Sequence, residues 1–82
     1  MFANKEKDGR NNRCGVVIEQ RRKALGKSQR QLADMLQIAG LDIDKNAIQR
    51  IESGKRFVTD VEIVYLAKVL GLSYEELLDS WK

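Results

Sequence analysis

The chain has 82 residues, of which 33% are charged and 43% hydrophobic, with a formal net charge of +3. That length makes one domain, burying about 60% of its unfolded surface, with room for one small core and no deep catalytic cleft. There is no histidine and one cysteine, Cys14, so the commonest general base, the commonest metal ligand and an internal disulfide are all excluded.

Residues 1–13 are polar and have no apolar run, so they read as a flexible tail and not as a secretory signal. Within them Lys5, Lys7, Arg10 and Arg13 make either a solvated tail, diluted by Glu6 and Asp8, or a basic arm for a minor groove. The folded domain is expected over 14–82. A first helix fits residues 14 to about 25, with Val17, Ile18 and Leu25 on one side and Gly26 as its stop. Cys14 reads as an inert, partly buried helix residue.

A second helix begins at Ser28, which forms a capping box with Gln31. Leu32, Ala33 and Leu36 supply its apolar face, and Gly40 stops it. Ile38, Leu41 and Ile43, in the segment 37–44 that lengthens this helix or its turn, are apolar enough to pack. A third helix follows Asp44, a good N-cap. Ala47, Ile48 and Ile51 form its inner stripe, and Gly54 ends it.

A fourth helix opens with Thr59 and Glu62, a second capping box, and runs to Leu70 before Gly71. It is apolar on most of its circumference (Val61, Ile63, Val64, Tyr65, Leu66, Val69, Leu70), so it should lie centrally, covered by the others. A fifth opens with Ser73 and Glu76. Its apolar residues Tyr74, Leu77, Leu78 and Trp81 are expected mostly in the core. No segment alternates as a strand does, so the fold class is all-α: five short helices with brief connections.

Charge is unevenly spread. Residues 1–30 carry nine Lys/Arg against three Asp/Glu, and residues 59–82 carry two against five. The basic half suits a polyanionic partner. The third helix says more. On a wheel of about 100° per residue, Asn46, Gln49 and Ser53 fall on its outer arc, flanked by Lys45 and Arg50. Asn and Gln can bond an adenine edge in bidentate fashion, and Arg a guanine edge. The plain alternative for the same residues is a solvated helix face.

Three segments decide between these readings: KSQRQLADML (27–36), AIQRIESGKR (47–56) and LGLSYEELL (70–78). Together and in order, they resemble the phage-repressor type of helix-turn-helix domain, the Cro/CI or XRE-like family. The resemblance spans about residues 16 to 78. It implies a compact five-helix bundle of the lambda-repressor-like kind. The second and third helices would form the helix-turn-helix, and the third, about 45–53, would lie in the major groove of double-stranded DNA.

Carried over by position, Lys45, Asn46, Gln49, Arg50 and Ser53 would face base edges or the flanking backbone. Gln29 and the N–H groups beside it would contact a phosphate, Lys27 would add another, and Lys55 and Arg56 would clamp one. Arg22 and Glu52 match the family's buried ion pair between the first and third helices. The chain departs from the family in its spacing, with fourteen residues from Asp34 to Ala47. It also has Arg21 and Lys27 where apolar residues are usual, and Leu25 is expected to supply the lost packing.

The function expected is a sequence-specific, cytoplasmic DNA-binding transcriptional regulator that catalyses nothing and needs no cofactor or metal. The alternative is a helical protein-interaction module, antitoxin-like or adaptor, that does not bind DNA. Such domains usually pair on two-fold sites through the fifth helix and its neighbourhood, so a homodimer is compatible with the resemblance, and the sequence leaves the oligomeric state open. No membrane association and no small-molecule ligand are expected.

Overall fold

The computed structural model describes residues 9–79. Five helices follow in chain order: α1 (Gly15–Ala24), α2 (Gln29–Ala39), α3 (Lys45–Glu52), α4 (Asp60–Leu70) and α5 (Tyr74–Asp79). No strand occurs among the described residues.

Local chemistry sets the helix boundaries. Ser28 Oγ accepts from Gln31 N–H at 3.0 Å, and Gln31 Oε1 accepts from Ser28 N–H at 2.8 Å. Thr59 and Glu62 repeat that exchange at the start of α4, as do Ser73 and Glu76 at the start of α5. Each box satisfies two N–H groups that the helix leaves without a partner. Asp44 Oδ1 caps α3 through Ala47 N–H at 2.8 Å. At the end of α2, Gly40 has φ +113°, a left-handed turn that favours glycine.

One core joins the helices. Ile18 of α1, Leu32 and Leu36 of α2, Ile48 and Ile51 of α3, Leu66 and Leu70 of α4 and Leu77 of α5 are buried in it. Fully burying such a side chain contributes about 1.5–3 kcal/mol. In this arrangement α3 packs on α1 and α2, and α4 packs on α1, α2 and α5.

Several expectations need correction. The fourth helix is not covered all round: Val61 and Val64 are exposed, and so are Tyr74 and Leu78 next to it. Leu25 is exposed and does not replace packing at Arg21. Instead Arg21 Nε donates to the Leu70 carbonyl at 2.9 Å, tying α1 to the end of α4. In the segment after α2, Ile43 is buried and Leu41 half-buried, but Ile38, in the last turn of α2, is 88% exposed and does not pack. Gln37 Nε2 bonds the Ile43 carbonyl at 2.7 Å and folds that segment back on α2. Trp81, Lys5 and Lys7 lie outside the described residues.

Residues 10–12, read as the end of a tail, belong to the folded unit. They run along the C-terminal end of α3 and bond to its carbonyls. No helix is long and apolar enough to cross a membrane, and no cluster of potential metal ligands occurs among the described residues.

Candidate nucleic-acid interface

The third helix has two distinct sides. Ile48 and Ile51 point into the core with no exposed surface, and Ala47 is half-buried beside them. Lys45, Asn46, Gln49, Arg50 and Ser53 are all exposed. The exposed side therefore carries amides, a hydroxyl and two cations, with no acid among them. Such a surface has donors and acceptors for base edges and no charge that repels phosphate.

The helix is held from below by Glu52, which is buried. Arg22 Nε donates to Glu52 Oε2 at 2.7 Å, and Arg22 Nη2 donates to Oε1 at 3.0 Å. The remaining Arg22 nitrogen, Nη1, donates to the Lys27 carbonyl at 2.8 Å. The Glu52 hydrogen bonds raise the Arg22 pKa above its ordinary value, so this guanidinium stays charged. The structure thus brings Arg22 and Glu52 together as a two-bond ion pair between α1 and α3.

Gln29 is the first residue of α2, and its side chain turns inward. Its Nε2 donates to Glu52 Oε1 at 3.0 Å. The side chain expected on a phosphate thus helps join α2 to α3. Lys27 is exposed on the α1–α2 connection.

Beyond α3, Lys55 and Arg56 part company. Lys55 is exposed, and its backbone N–H bonds the Arg50 carbonyl at 2.9 Å, which places it beside the end of the helix. Arg56 is turned toward α4. Its Nη1 donates to Glu62 Oε1 at 2.9 Å and its Nη2 to Glu62 Oε2 at 2.7 Å. This bond raises the Arg56 pKa and, with the Thr59 N–H, lowers that of Glu62. Of the two cations expected to clamp a phosphate, Arg56 is thus held by a carboxylate, while Lys55 stays exposed.

Sequence reasoning passed over Asn11 and Asn12 and read Arg10 as part of the tail. Asn12 Nδ2 donates to the Ile51 carbonyl at 2.9 Å and the Arg56 carbonyl at 2.8 Å. Its Oδ1 accepts from Gly15 N–H at 2.9 Å. Arg10 Nη2 donates to the Glu52 carbonyl at 2.9 Å, and Asn11 Nδ2 to the Lys55 carbonyl at 2.9 Å. Gly15 makes this close passage possible, because a Cβ there would run into the Ile51 carbonyl oxygen. An asparagine shortly before a helix, here three residues ahead of Gly15, is the one hint in sequence, and it hints at a cap and not at these partners.

A short amphipathic helix, seated on two others and showing only base- and phosphate-competent groups outward, defines a helix-turn-helix DNA-binding domain. The comparisons agree. The helix-turn-helix family profile matches residues 18–77, and the chain belongs to that family, in its XRE-like, Cro/CI-type branch, as a sequence-specific DNA-binding regulator of transcription. Among solved structures it is similar to the restriction-modification controller protein C.AhdI from Aeromonas hydrophila. The two are 32% identical, with a TM-score of 0.66, covering 77% of this chain and 84% of that one. No curated protein sequence matches it.

Proposed function

We propose that the protein controls transcription by placing α3 in the major groove of an operator, without catalysing any reaction. Asn46, Gln49 and Arg50 read base edges there. Lys45 and Ser53 flank them toward the sugar-phosphate backbone, and Lys55 and Lys27 meet phosphates on either side. Arg22, Gln29 and Glu52 hold the reading helix, and Arg56 fixes the loop after it. The observation that carries this reading is the exposed arc of α3, where every outward side chain can bond a base or a phosphate.

A second copy completes the reader. The α3 helix has 8 residues and is about 12 Å long at about 1.5 Å per residue. That covers about four base pairs at roughly 3.4 Å each, too few to single out an operator in a genome. Two protomers related by a two-fold axis double the site. The exposed apolar groups of α4 and α5, Val64, Tyr74 and Leu78, offer the surface for that pairing. The protein would act in the cytoplasm, where its operator lies. Its likeness to a restriction-modification controller makes restriction and modification genes the first targets to examine.

The test is selection from a pool of randomised duplex DNA, followed by titration of the enriched and random duplexes at two salt concentrations. The expected result is one enriched, two-fold symmetric sequence that binds two protomers, with affinity falling steeply as salt rises. Equal affinity for every duplex, with no enrichment, would contradict the reading.

A further inference from the structure

The reading helix is short, and its two ends are held differently. Its N-terminal end continues from the Asp44 cap and the buried Ile43. Its C-terminal end leaves carbonyls without helical partners, as every helix does. Here these carbonyls have specific partners. Ile51 O accepts from Asn12 Nδ2 at 2.9 Å and Arg10 Nη2 at 3.3 Å, and Glu52 O accepts from Arg10 Nη2 at 2.9 Å. Immediately beyond, Gly54 O accepts from Asn11 N–H at 2.7 Å, Lys55 O from Asn11 Nδ2 at 2.9 Å, and Arg56 O from Asn12 Nδ2 at 2.8 Å. Three consecutive residues thus bond five carbonyls between positions 51 and 56.

These bonds use the backbone of α3 and of the loop after it, and none of them engages an outward side chain of α3. Asn12 is 8% exposed and reaches α1 as well, through Gly15 N–H, so one side chain joins the start of α1 to the end of α3. Arg10 sets a guanidinium against the negative end of the α3 dipole. The Arg22–Glu52 pair grips the same helical turn by its side chain. Together the two grips fix both the rotation of α3 about its axis and the tilt of its C-terminal end, where Arg50 and Lys55 stand.

We infer that residues 10–12 form a strap that sets the pose of α3 for reading bases, so that Arg10 and Asn12 are positioning residues for sequence discrimination and act through α3. The inference rests on the proposed role of α3. Base recognition needs hydrogen-bond geometry kept to within about 0.5 Å, whereas attraction to phosphates varies slowly with distance. Loosening the strap therefore reduces affinity for the preferred operator much more than affinity for other DNA.

The experiment uses the full chain with two probes: a duplex of about 25 base pairs enriched by the wild-type protein, roughly two and a half turns, and a scrambled duplex of the same composition. The variants are Asn12→Asp, Arg10→Ala, Arg10→Lys and Asn11→Ala, each titrated at a temperature where circular dichroism shows it folded. Asn12→Asp keeps the acceptor for Gly15 and loses both donors to α3 and its loop. It should lower the ratio of specific to scrambled affinity about tenfold, the size of one mismatched base pair, with an unchanged salt dependence on the scrambled duplex. Arg10→Ala should lower the ratio too, and Arg10→Lys should restore most of it, since an ammonium can also reach two carbonyls. Asn11→Ala removes only an exposed bond and should give a smaller loss of the same kind, which keeps the test open if Asn12→Asp does not fold. Folded variants with a lower melting temperature but an unchanged ratio would overturn the strap alone. A wild-type protein that enriches no sequence would overturn the reading of α3 and the strap with it.

Discussion

Glu62 grips Arg56 with both carboxylate oxygens, at 2.9 and 2.7 Å, while its Oε1 also accepts from Thr59 N–H at 2.9 Å. One carboxylate therefore closes the capping box of α4 and anchors the loop that leaves α3. The Arg56 hydrogen bond, followed by the Thr59 backbone, holds the Glu62 carboxyl below its ordinary value of 4.5. A carboxyl whose pKa is lowered by folding stabilises the fold above that ordinary value, and the contribution is lost as pH falls through the lowered one. Urea midpoints followed from about pH 7 to about pH 3 should fall at the acid end. The Glu62→Gln variant should be less stable near neutrality and lose part of that acid dependence. Parallel curves for the two proteins would show that Glu62 has no such role.

Removing Arg22 leaves Glu52 buried, with Gln29 as the remaining side chain bonded to it among the described residues. Arg22→Ala should destabilise the domain by about 3–5 kcal/mol, measured by urea unfolding. Exchanging both partners for apolar residues (Arg22→Met with Glu52→Leu) should cost far less, because no buried charge is then stranded.

Lys55 and Arg56 are neighbours in sequence with separate duties. Lys55→Ala should weaken binding to all duplexes alike and flatten the dependence of log affinity on log salt by about one unit, with little change in stability. Arg56→Ala should lower the unfolding midpoint more than Lys55→Ala does and alter the salt slope less. The slopes from titrations at several salt concentrations, set beside the two urea curves, check this division.

Cys14 is 1% exposed, and burial pushes its thiol up to about 11. Near neutrality it is almost wholly the thiol, which is the unreactive form. A thiol reagent should modify it only as fast as the domain unfolds, and urea should bring on labelling and loss of structure together. Rapid modification of the folded protein would contradict the buried position.

The sequence carried most of the fold because its signals are local. Three capping boxes, the Asp44 cap and the glycine stops each lie within a few residues of the group they satisfy. The two arcs of α3 were legible for the same reason, since helical period alone separates Ile48 and Ile51 from Asn46 and Gln49. The pattern of α4 was misleading. Val61 and Val64 are as apolar as the core, and composition cannot say that among the described residues they stay exposed. The strap was invisible because its bonds run from polar side chains to backbone carbonyls about forty residues away, and such pairs leave no periodicity. The bond of Arg56 to Glu62 was not legible because a basic residue after the reading helix suits a phosphate and a nearby carboxylate equally well, and only the fold brings Glu62 to it.

The central claim is that the outward side chains of α3 read individual base pairs, and a loss-of-contact scan of the operator tests it most directly. Each base pair of the enriched duplex is replaced in turn, and every duplex is titrated with wild-type protein and with Gln49→Ala. The account predicts that the wild type loses about 1–3 kcal/mol at the pair Gln49 contacts, that Gln49→Ala is indifferent to the change there, and that the two proteins agree at the other positions. Identical penalties for both proteins at every position would contradict it.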